Sequence, residues 1–483
     1  MARGALWMVT MRWLIRLIGL VNTAIIARLL VPEDFGLVAL AMIAVDLAIT
    51  LTDGDIDMAL VRSRDDGRDL TDTGWTLKIA AGLLTGGALV LAAPLVADYF
   101  DDQRLVLIVR IAALKPILLG FENIGVIEFR RSLQFSREFS YLILQRLITF
   151  VIGLGLVFAL RDYVALALAG PTAALVTLGL SYVVVRTRPR LGLGRWRELW
   201  AFSRWQLLFN GSRLIGERCD QFVIGHLAGF ADTGLYAVGF DLAMMPTREI
   251  MLPAGRALMP AYATIADDHD QMKGAFAMVL QVAALIATSV GVGMSCVADD
   301  AVALLLGGQW ANAAPFVRWL GLFGALEGVW LMLDPYLIAA RHERTLALAN
   351  LGFTLAMLPA LLLTAQGFGI QLIPLCRILV MGGCLVAVLA RIVTWKWISP
   401  GRLVDAVWRP IAAAGAMAAA VHGLQSASPI DTAAIGLARD VCLGAAVYVA
   451  TLSLLWLLCG KPKGIEDTLA SAAAGWLRNK LGA

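Results

Sequence analysis

Apolar residues run through this chain in long blocks rather than in alternation. The blocks Ile79–Ala97, Leu142–Leu160, Val164–Val185, Val279–Val297 and Leu346–Leu363 each approach the ~20 residues that a helix needs to cross ~30 Å of hydrocarbon. Period-two patterning is absent, which argues against a membrane barrel. The pattern predicts fourteen spans, near 7–29, 36–52, 75–97, 105–127, 139–160, 163–185, 201–227, 235–256, 276–297, 316–339, 346–365, 369–391, 409–425 and 437–459. Spans 2, 7, 8 and 13 carry the weakest signal, being short, polar or interrupted.

Polar positions between the blocks orient them. Basic residues favour the cytoplasmic side of short loops. They gather after even-numbered spans: Arg62, Arg64 and Arg68; Arg130, Arg131 and Arg137; Arg186, Arg188, Arg190, Arg195 and Arg197; Arg341 and Arg344; Lys396 and Arg402; Lys461, Lys463, Arg478 and Lys480. Loops after odd-numbered spans hold only Arg28, Arg104 and Arg161 at helix ends. A missed span would invert this alternation downstream, so both termini are expected in the cytoplasm. The last residues differ: Ile465, Leu469, Ala473, Trp476 and Leu477 share one helical stripe, the pattern of a helix lying on the membrane surface.

Composition agrees. The 483 residues are 59% hydrophobic and 16% charged, with mean hydropathy +0.77, whereas soluble domains carry about 25% charged residues. The first block contains Arg12 and Arg16 and no small-residue cleavage site, so it reads as span 1, not as a signal peptide. The cysteines Cys219, Cys296, Cys376, Cys384, Cys442 and Cys459 lie in or beside apolar blocks without metal-ligand spacing and read as small hydrophobes. No metal site, cofactor motif, phosphate loop or nucleophile elbow is found, so catalytic residues are not expected and the chain does not hydrolyse ATP itself. Nothing points to nucleic acid.

An internal repeat links the two halves. IARLLVPEDFGLVA from Ile26 and IGHLAGFADTGLYA from Ile224 match at a constant offset of 198, with Asp34, Gly36 and Leu37 meeting Asp232, Gly234 and Leu235. The repeat returns after six spans, an even number, so the halves point the same way, a known transporter plan with substrate between them. The division expected is 1–195 for one six-helix lobe, 196–400 for the second, 401–460 for two extra helices and 461–483 for the cytoplasmic tail. The shared aspartates are expected to cap the following helix, and the glycines to permit a tight turn.

The stretch TAIIARLLVPEDFGLVALAMIAVDLAITLTDGDIDMALVRSRD, with FRRSLQFSREF at Phe129–Phe139 and DAVALLLGGQWANAAP at Asp300–Pro315, resembles the polysaccharide-transporter branch of the flippase superfamily that also contains the drug-exporting MATE proteins. These are the Wzx-like oligosaccharide flippases. The likeness covers roughly residues 10–400. It implies two six-helix lobes around a cavity, alternating access, and export of polyprenyl-diphosphate-linked oligosaccharide across a bacterial inner membrane for exopolysaccharide, O-antigen or capsule synthesis. The partners implied are the lipid-linked oligosaccharide, membrane lipids, a coupling ion, and a polysaccharide polymerase or export machinery. A drug or small-molecule exporter of the same superfamily and an intramembrane polymerase or acyltransferase are the rival readings. The Asp53, Asp55, Asp57 cluster departs from the family and reads as an acidic helix end or a cation site.

A charge at mid-membrane costs about 2.5–3.5 kcal/mol and should face a partner or a wet cavity. Arg16 lies on span 1, Asp46 on span 2, Arg213, Arg218 and Asp220 on span 7 and Asp241 on span 8. These six are the candidate substrate-binding residues, arginine for its phosphate-matching fork and carboxylates for sugar hydroxyls or protons. Each also has a structural reading, as one half of an internal ion pair. Lys115, Glu122, Arg146, Glu327, Asp334 and Arg377 are further charges within spans. Arg12, Lys115 and Arg377, near span ends, are expected to snorkel to headgroups. Pro246 and Pro253 in span 8 and Pro260 just beyond are expected bending points.

Overall fold

The computed structural model describes residues 16–461, apart from 17, 55, 63–66, 133–134, 267, 368, 429 and 431, together with Asp467; the side chains at 53, 61–62, 130, 135, 201–209, 212–213, 263 and 365–366 are outside the description. Arg12 and the amphipathic tail therefore lie outside the described residues. The fold is all-α, with no strand among the described residues. The helices are α1 (Ile18–Leu29), α2 (Pro32–Asp53), α3 (Ile56–Arg62), α4 (Arg68–Tyr99), α5 (Arg104–Ala112), α6 (Leu114–Gly120), α7 (Ile127–Arg131), α8 (Phe135–Leu160), α9 (Tyr163–Val184), α10 (Trp196–Ile265), α11 (His269–Cys296), α12 (Ala298–Leu305), α13 (Ala314–Ala339), α14 (Glu343–Gly367), α15 (Ile373–Thr394), α16 (Pro400–Ala427) and α17 (Ala433–Leu458). Among the described residues ten helical segments are long and apolar enough to cross a membrane. The protein is a polytopic membrane protein.

Three predicted spans take a different form. Span 4 is broken: α5 ends at Ala112, α6 starts at Leu114 and contains Pro116, and a 3-10 turn at Ile124–Val126 follows. Proline has no N–H for the carbonyl four residues back and crowds that turn. Spans 7 and 8 are the two arms of α10, which departs from helical geometry at Gly229 (φ 84°) and stays helical through Pro246, Pro253 and Pro260. The break is thus at a glycine, which tolerates positive φ, and not at the prolines.

The helices gather in two compact units, Met1–Ala237 and Val238–Ala483. This division by packing falls inside α10, whereas the division at 195 follows the sequence repeat. In the first unit Leu37, Val38, Ala41 and Val45 of α2 pack with Leu89, Ala93 and Ala97 of α4 and with Leu105, Ile108, Val109 and Ala112 of α5. These positions recur at three and four residues, so each helix turns one stripe inward. Small residues in the stripes allow close approach, which drives helix association where lipid offers no hydrophobic contrast. In the second unit Ala413, Ala414, Met417 and Val421 of α16 pack on Tyr448 of α17, flanked by Leu285 and Val292 of α11.

The repeated Asp-x-Gly has a role other than a turn. Gly36 and Gly234 are both helical. A Cβ on Gly36 would fall 1.7 Å from the Phe230 carbonyl oxygen, and one on Gly234 would fall 1.8 Å from the Pro32 carbonyl oxygen. The contact is reciprocal: Pro32 and Phe230, like Gly36 and Gly234, are separated by the repeat offset of 198. Two matching helix starts cross backbone to backbone, and only glycine fits. Asp34 does act on its helix end, accepting from the Val31 N–H at 3.3 Å from within the first turn of α2.

Candidate functional site

The charged side chains of the first unit are spread over several helices. Asp46, on α2, lies 3.4 Å from Lys115 Nζ on α6, with the two side chains 38% and 28% exposed. Lys115 is therefore tied to a carboxylate, in place of the expected snorkelling. Arg146 on α8 rests its Nη2 against α1, where a Cβ on Gly19 would fall 2.9 Å from it, and its charge opposes that of Arg16. Glu122 accepts from the Tyr141 hydroxyl at 3.0 Å. Asp57, the described member of the acidic cluster, pairs with Lys78 at 2.9 Å, an ordinary helix-end ion pair.

The candidate residues of α10 separate. Arg218 Nη1 donates to Gln221 at 3.3 Å. Asp220 is fully buried, accepts from the Gln221 N–H at 2.8 Å, and takes a hydrogen bond from the Tyr236 hydroxyl. Asp220 precedes the Gly229 break and Tyr236 follows it, so this bond ties together the two arms. The side chain of Arg213 lies outside the described residues. Asp241 is exposed and belongs to the second unit. Asp46 is thus joined to Lys115, which lies outside the six candidates.

The second unit holds a tighter polar site. Arg248 and Glu327 are bonded at 2.6 Å through Nη2, with Nε at 3.2 Å from the same oxygen. Arg248 also lies over the Phe240 ring at 5.3 Å. Arg377 is 2% exposed, its guanidinium 5.0 Å from the Phe240 ring centre and 4.8 Å from that of Phe323. The expectation that it snorkels is corrected: two aromatic faces supply the environment that headgroups would have given. Arg248 was not singled out in the sequence, because its partner is 79 residues away and nothing local signals the pairing.

A groove of about 800 Å³ runs along α11, α16 and α17 in the same unit, lined by Leu285, Val290, Met294, Val421, Leu452 and Trp456 among others, with Asp440 its one charged lining residue. Asp440 is engaged by Gln425 at 2.7 Å and Arg439 at 2.8 Å, so the wall presents an almost wholly apolar surface.

Mid-membrane charges and an apolar groove suit an amphipathic cargo, and comparison with known proteins sharpens the assignment. Residues 25–315 match the model of the polysaccharide biosynthesis protein family. The chain belongs to that family. The chain has distant relatives in several bacteria. It is 22% identical to the lipopolysaccharide biosynthesis protein WzxC of Escherichia coli over 76% of this chain and 75% of the relative. It is 26% identical to the succinoglycan biosynthesis transport protein ExoT of Rhizobium meliloti over 64% and 62%, and 22% identical to the teichuronic acid biosynthesis protein TuaB of Bacillus subtilis over 67% and 68%. Its fold is similar to that of the lipid II flippase MurJ in an inward closed conformation, with TM-score 0.77 and 10% identity, covering 92% of this chain and 98% of that one. It is also similar to an inward-facing multidrug resistance MATE transporter, with TM-score 0.65 and 13% identity, covering 81% and 99%. These likenesses establish the fold.

Proposed function

We propose that this protein is a flippase that carries a polyprenyl-diphosphate-linked oligosaccharide from the cytoplasmic to the outer leaflet of a bacterial inner membrane, by alternating access, for surface polysaccharide synthesis. The observation that carries the reading is the set of cations within the first unit's helices, Arg16, Lys115 and Arg146, in a chain of the polysaccharide biosynthesis family. Cations within membrane helices need an anion or a wet cavity; Lys115 has Asp46, and the diphosphate of such a lipid substrate brings further negative charge to the group. The groove on α11, α16 and α17 suits an isoprenoid chain. The relatives' names carry transport and polysaccharide biosynthesis to this reading.

The reading includes fourteen spans, with both termini cytoplasmic as the basic loops imply. It includes two repeat lobes over 1–195 and 196–400, supported by the reciprocal glycine crossing, with 401–460 added and 461–483 as a surface tail. It keeps Arg16, Asp46, Arg213, Arg218, Asp220 and Asp241 as substrate-side residues, with Asp220 acting through the α10 break. A coupling ion and a polymerase or export partner complete it.

Deletion of the gene tests this. Lipid-linked oligosaccharides are expected to accumulate on the inner leaflet, protected from an impermeant glycosidase, with loss of surface polysaccharide and rescue by wild type but not by Arg16→Ala. Normal leaflet distribution and intact polysaccharide, in a strain without a second flippase, would overturn the reading.

A further inference from the structure

The break between α5 and α6 and the ion pair beside it belong to one arrangement. Lys115 sits in the first turn of α6, directly after the break and before Pro116. Because Pro116 has no N–H, the Ala112 carbonyl receives no donor from the residue four ahead. The backbone of α4 holds this bend, since a Cβ on Gly82 would fall 2.4 Å from the Pro116 carbonyl oxygen. Broken helices at mid-membrane are a feature of transporter binding sites. Asp46 is 14 residues beyond the start of α2, or ~21 Å along it. Lys115 is 11 residues beyond the start of α5, or ~17 Å. Asp46 is also seven residues short of the end of α2, and Lys115 five short of the end of α6, so neither lies in a loop. At 3.4 Å, with 28% and 38% of the side chains exposed, the pair is longer than the 2.7–2.9 Å typical of a charge-assisted hydrogen bond. It is also open on one side. The lysine stem passes Gly170 of α9, where a Cβ would stand 3.6 Å from Cδ, so no side chain from that position fills the space beside it.

A structural ion pair in hydrocarbon gains most by being short and enclosed; this one is neither. We propose that Lys115 is a phosphate ligand of the lipid-linked substrate and that Asp46 is the internal anion the phosphate displaces. The inference rests on the flippase reading and adds a residue and an order of events to it. In the empty protein Asp46 neutralises Lys115. A diphosphate, with more charge and more acceptor oxygens than one carboxylate, takes the ammonium and releases Asp46. The tie between α2 and α6 is thereby lost when substrate binds. Since α2 carries Gly36 at its crossing with α10, the exchange links occupancy to a helix that has a backbone contact to give up.

The test uses purified full-length protein in lipid nanodiscs, with a sugar-free polyprenyl diphosphate and the matching monophosphate as probes. Lys115→Gln is expected to weaken diphosphate binding by about tenfold or more, the range of one charged hydrogen bond. Lys115→Arg is expected to retain it. Asp46→Asn, which frees the lysine, is expected to strengthen it several-fold. Opposite signs for the two partners mark displacement, because a merely structural tie would have both variants weaken binding and lower the melting temperature together. Wild-type affinity in Lys115→Gln, or weakened binding in Asp46→Asn, would overturn the proposal while leaving the flippase reading standing. Wild-type protein that binds neither probe would overturn both. If Lys115→Gln does not fold, the Asp46→Asn arm decides on its own.

Discussion

Each unit holds an ion pair between two of its helical segments, and the two pairs have opposite polarity. In the first unit the anion is Asp46 on predicted span 2 and the cation Lys115 on span 4. In the second the cation is Arg248 on span 8 and the anion Glu327 on span 10. Under the repeat read from the sequence, spans 8 and 10 correspond to spans 2 and 4. One pair is long and open at 3.4 Å. The other is short at 2.6 Å, with Arg248 30% and Glu327 12% exposed and the guanidinium laid on an aromatic ring, so the two pairs differ in length and in how deeply the carboxylate is buried, not in the exposure of the cation. The comparison teaches that two units of one chain can each tie helices with an ion pair and still differ in what the pair is for. The closed pair in the second unit fixes structure, and the open pair in the first is available for exchange.

Breaking the closed pair should have the largest effect. Glu327→Ala removes the carboxylate to which Arg248 donates; truncating one partner of a buried pair costs about 3–5 kcal/mol, a ceiling here because Arg248 is 30% exposed. Thermal unfolding in detergent should show the larger loss there and a smaller one for Asp46→Asn, whose pair is longer at 3.4 Å and has the more exposed carboxylate. Equal losses in the two variants would erase the distinction. Next in size is the crossing that both halves share. Gly36→Ala or Gly234→Ala places a methyl within 1.8 Å of a backbone oxygen, and overpacking of this kind costs about 1–3 kcal/mol. The double variant should cost less than the sum of the singles, since one displacement relieves both clashes.

The outer ends of the two units should differ in their response to pH. Asp102 is held below its ordinary range by hydrogen bonds from the Arg104 side chain, burial opposing. Its contribution is present above the unfolded value of about 3.8 and is lost as the pH falls through the lowered value. Asp300 is raised by burial first and then by the charges of Asp440 and Asp299, against Arg439. Its contribution is present below about 3.8 and is lost as the pH rises through the raised value. Melting temperatures across pH 3–7 should therefore show Asp102→Asn less stable than wild type at neutral pH, with the gap closing on acidification. Asp300→Asn should give the smallest effect, a slight stabilisation at neutral pH that disappears under acid.

The spans were readable because apolar blocks such as Leu142–Leu160 answer directly to membrane thickness. The break in span 4 was not, since Ile111–Gly120 is apolar on both sides of Ala113 and Pro116 looks like an ordinary helix proline. The join of spans 7 and 8 was hidden for a related reason: one glycine at 229 absorbs a change of direction that a loop normally makes. The Asp-x-Gly match was visible, but its meaning was not, because sequence records that two glycines recur and not that they touch. Among the site residues, single charges within apolar helices stand out in the sequence, and Asp46 was found in that way. Its partner was not, because Lys115 is 69 residues distant and looked close enough to a span end to reach headgroups. Arg377 misled similarly: it is five residues into α15, yet Phe240 and Phe323 enclose it.

The most direct test of the central claim is a flipping assay with the purified protein reconstituted in sealed vesicles and a labelled polyprenyl-diphosphate oligosaccharide. Passage of the label to the opposite leaflet, followed by its access to an impermeant glycosidase, should require the protein and should fall at least about tenfold in Lys115→Gln. Leaflet exchange no faster than in protein-free vesicles, with a full range of ion gradients and membrane potentials applied, would contradict the account.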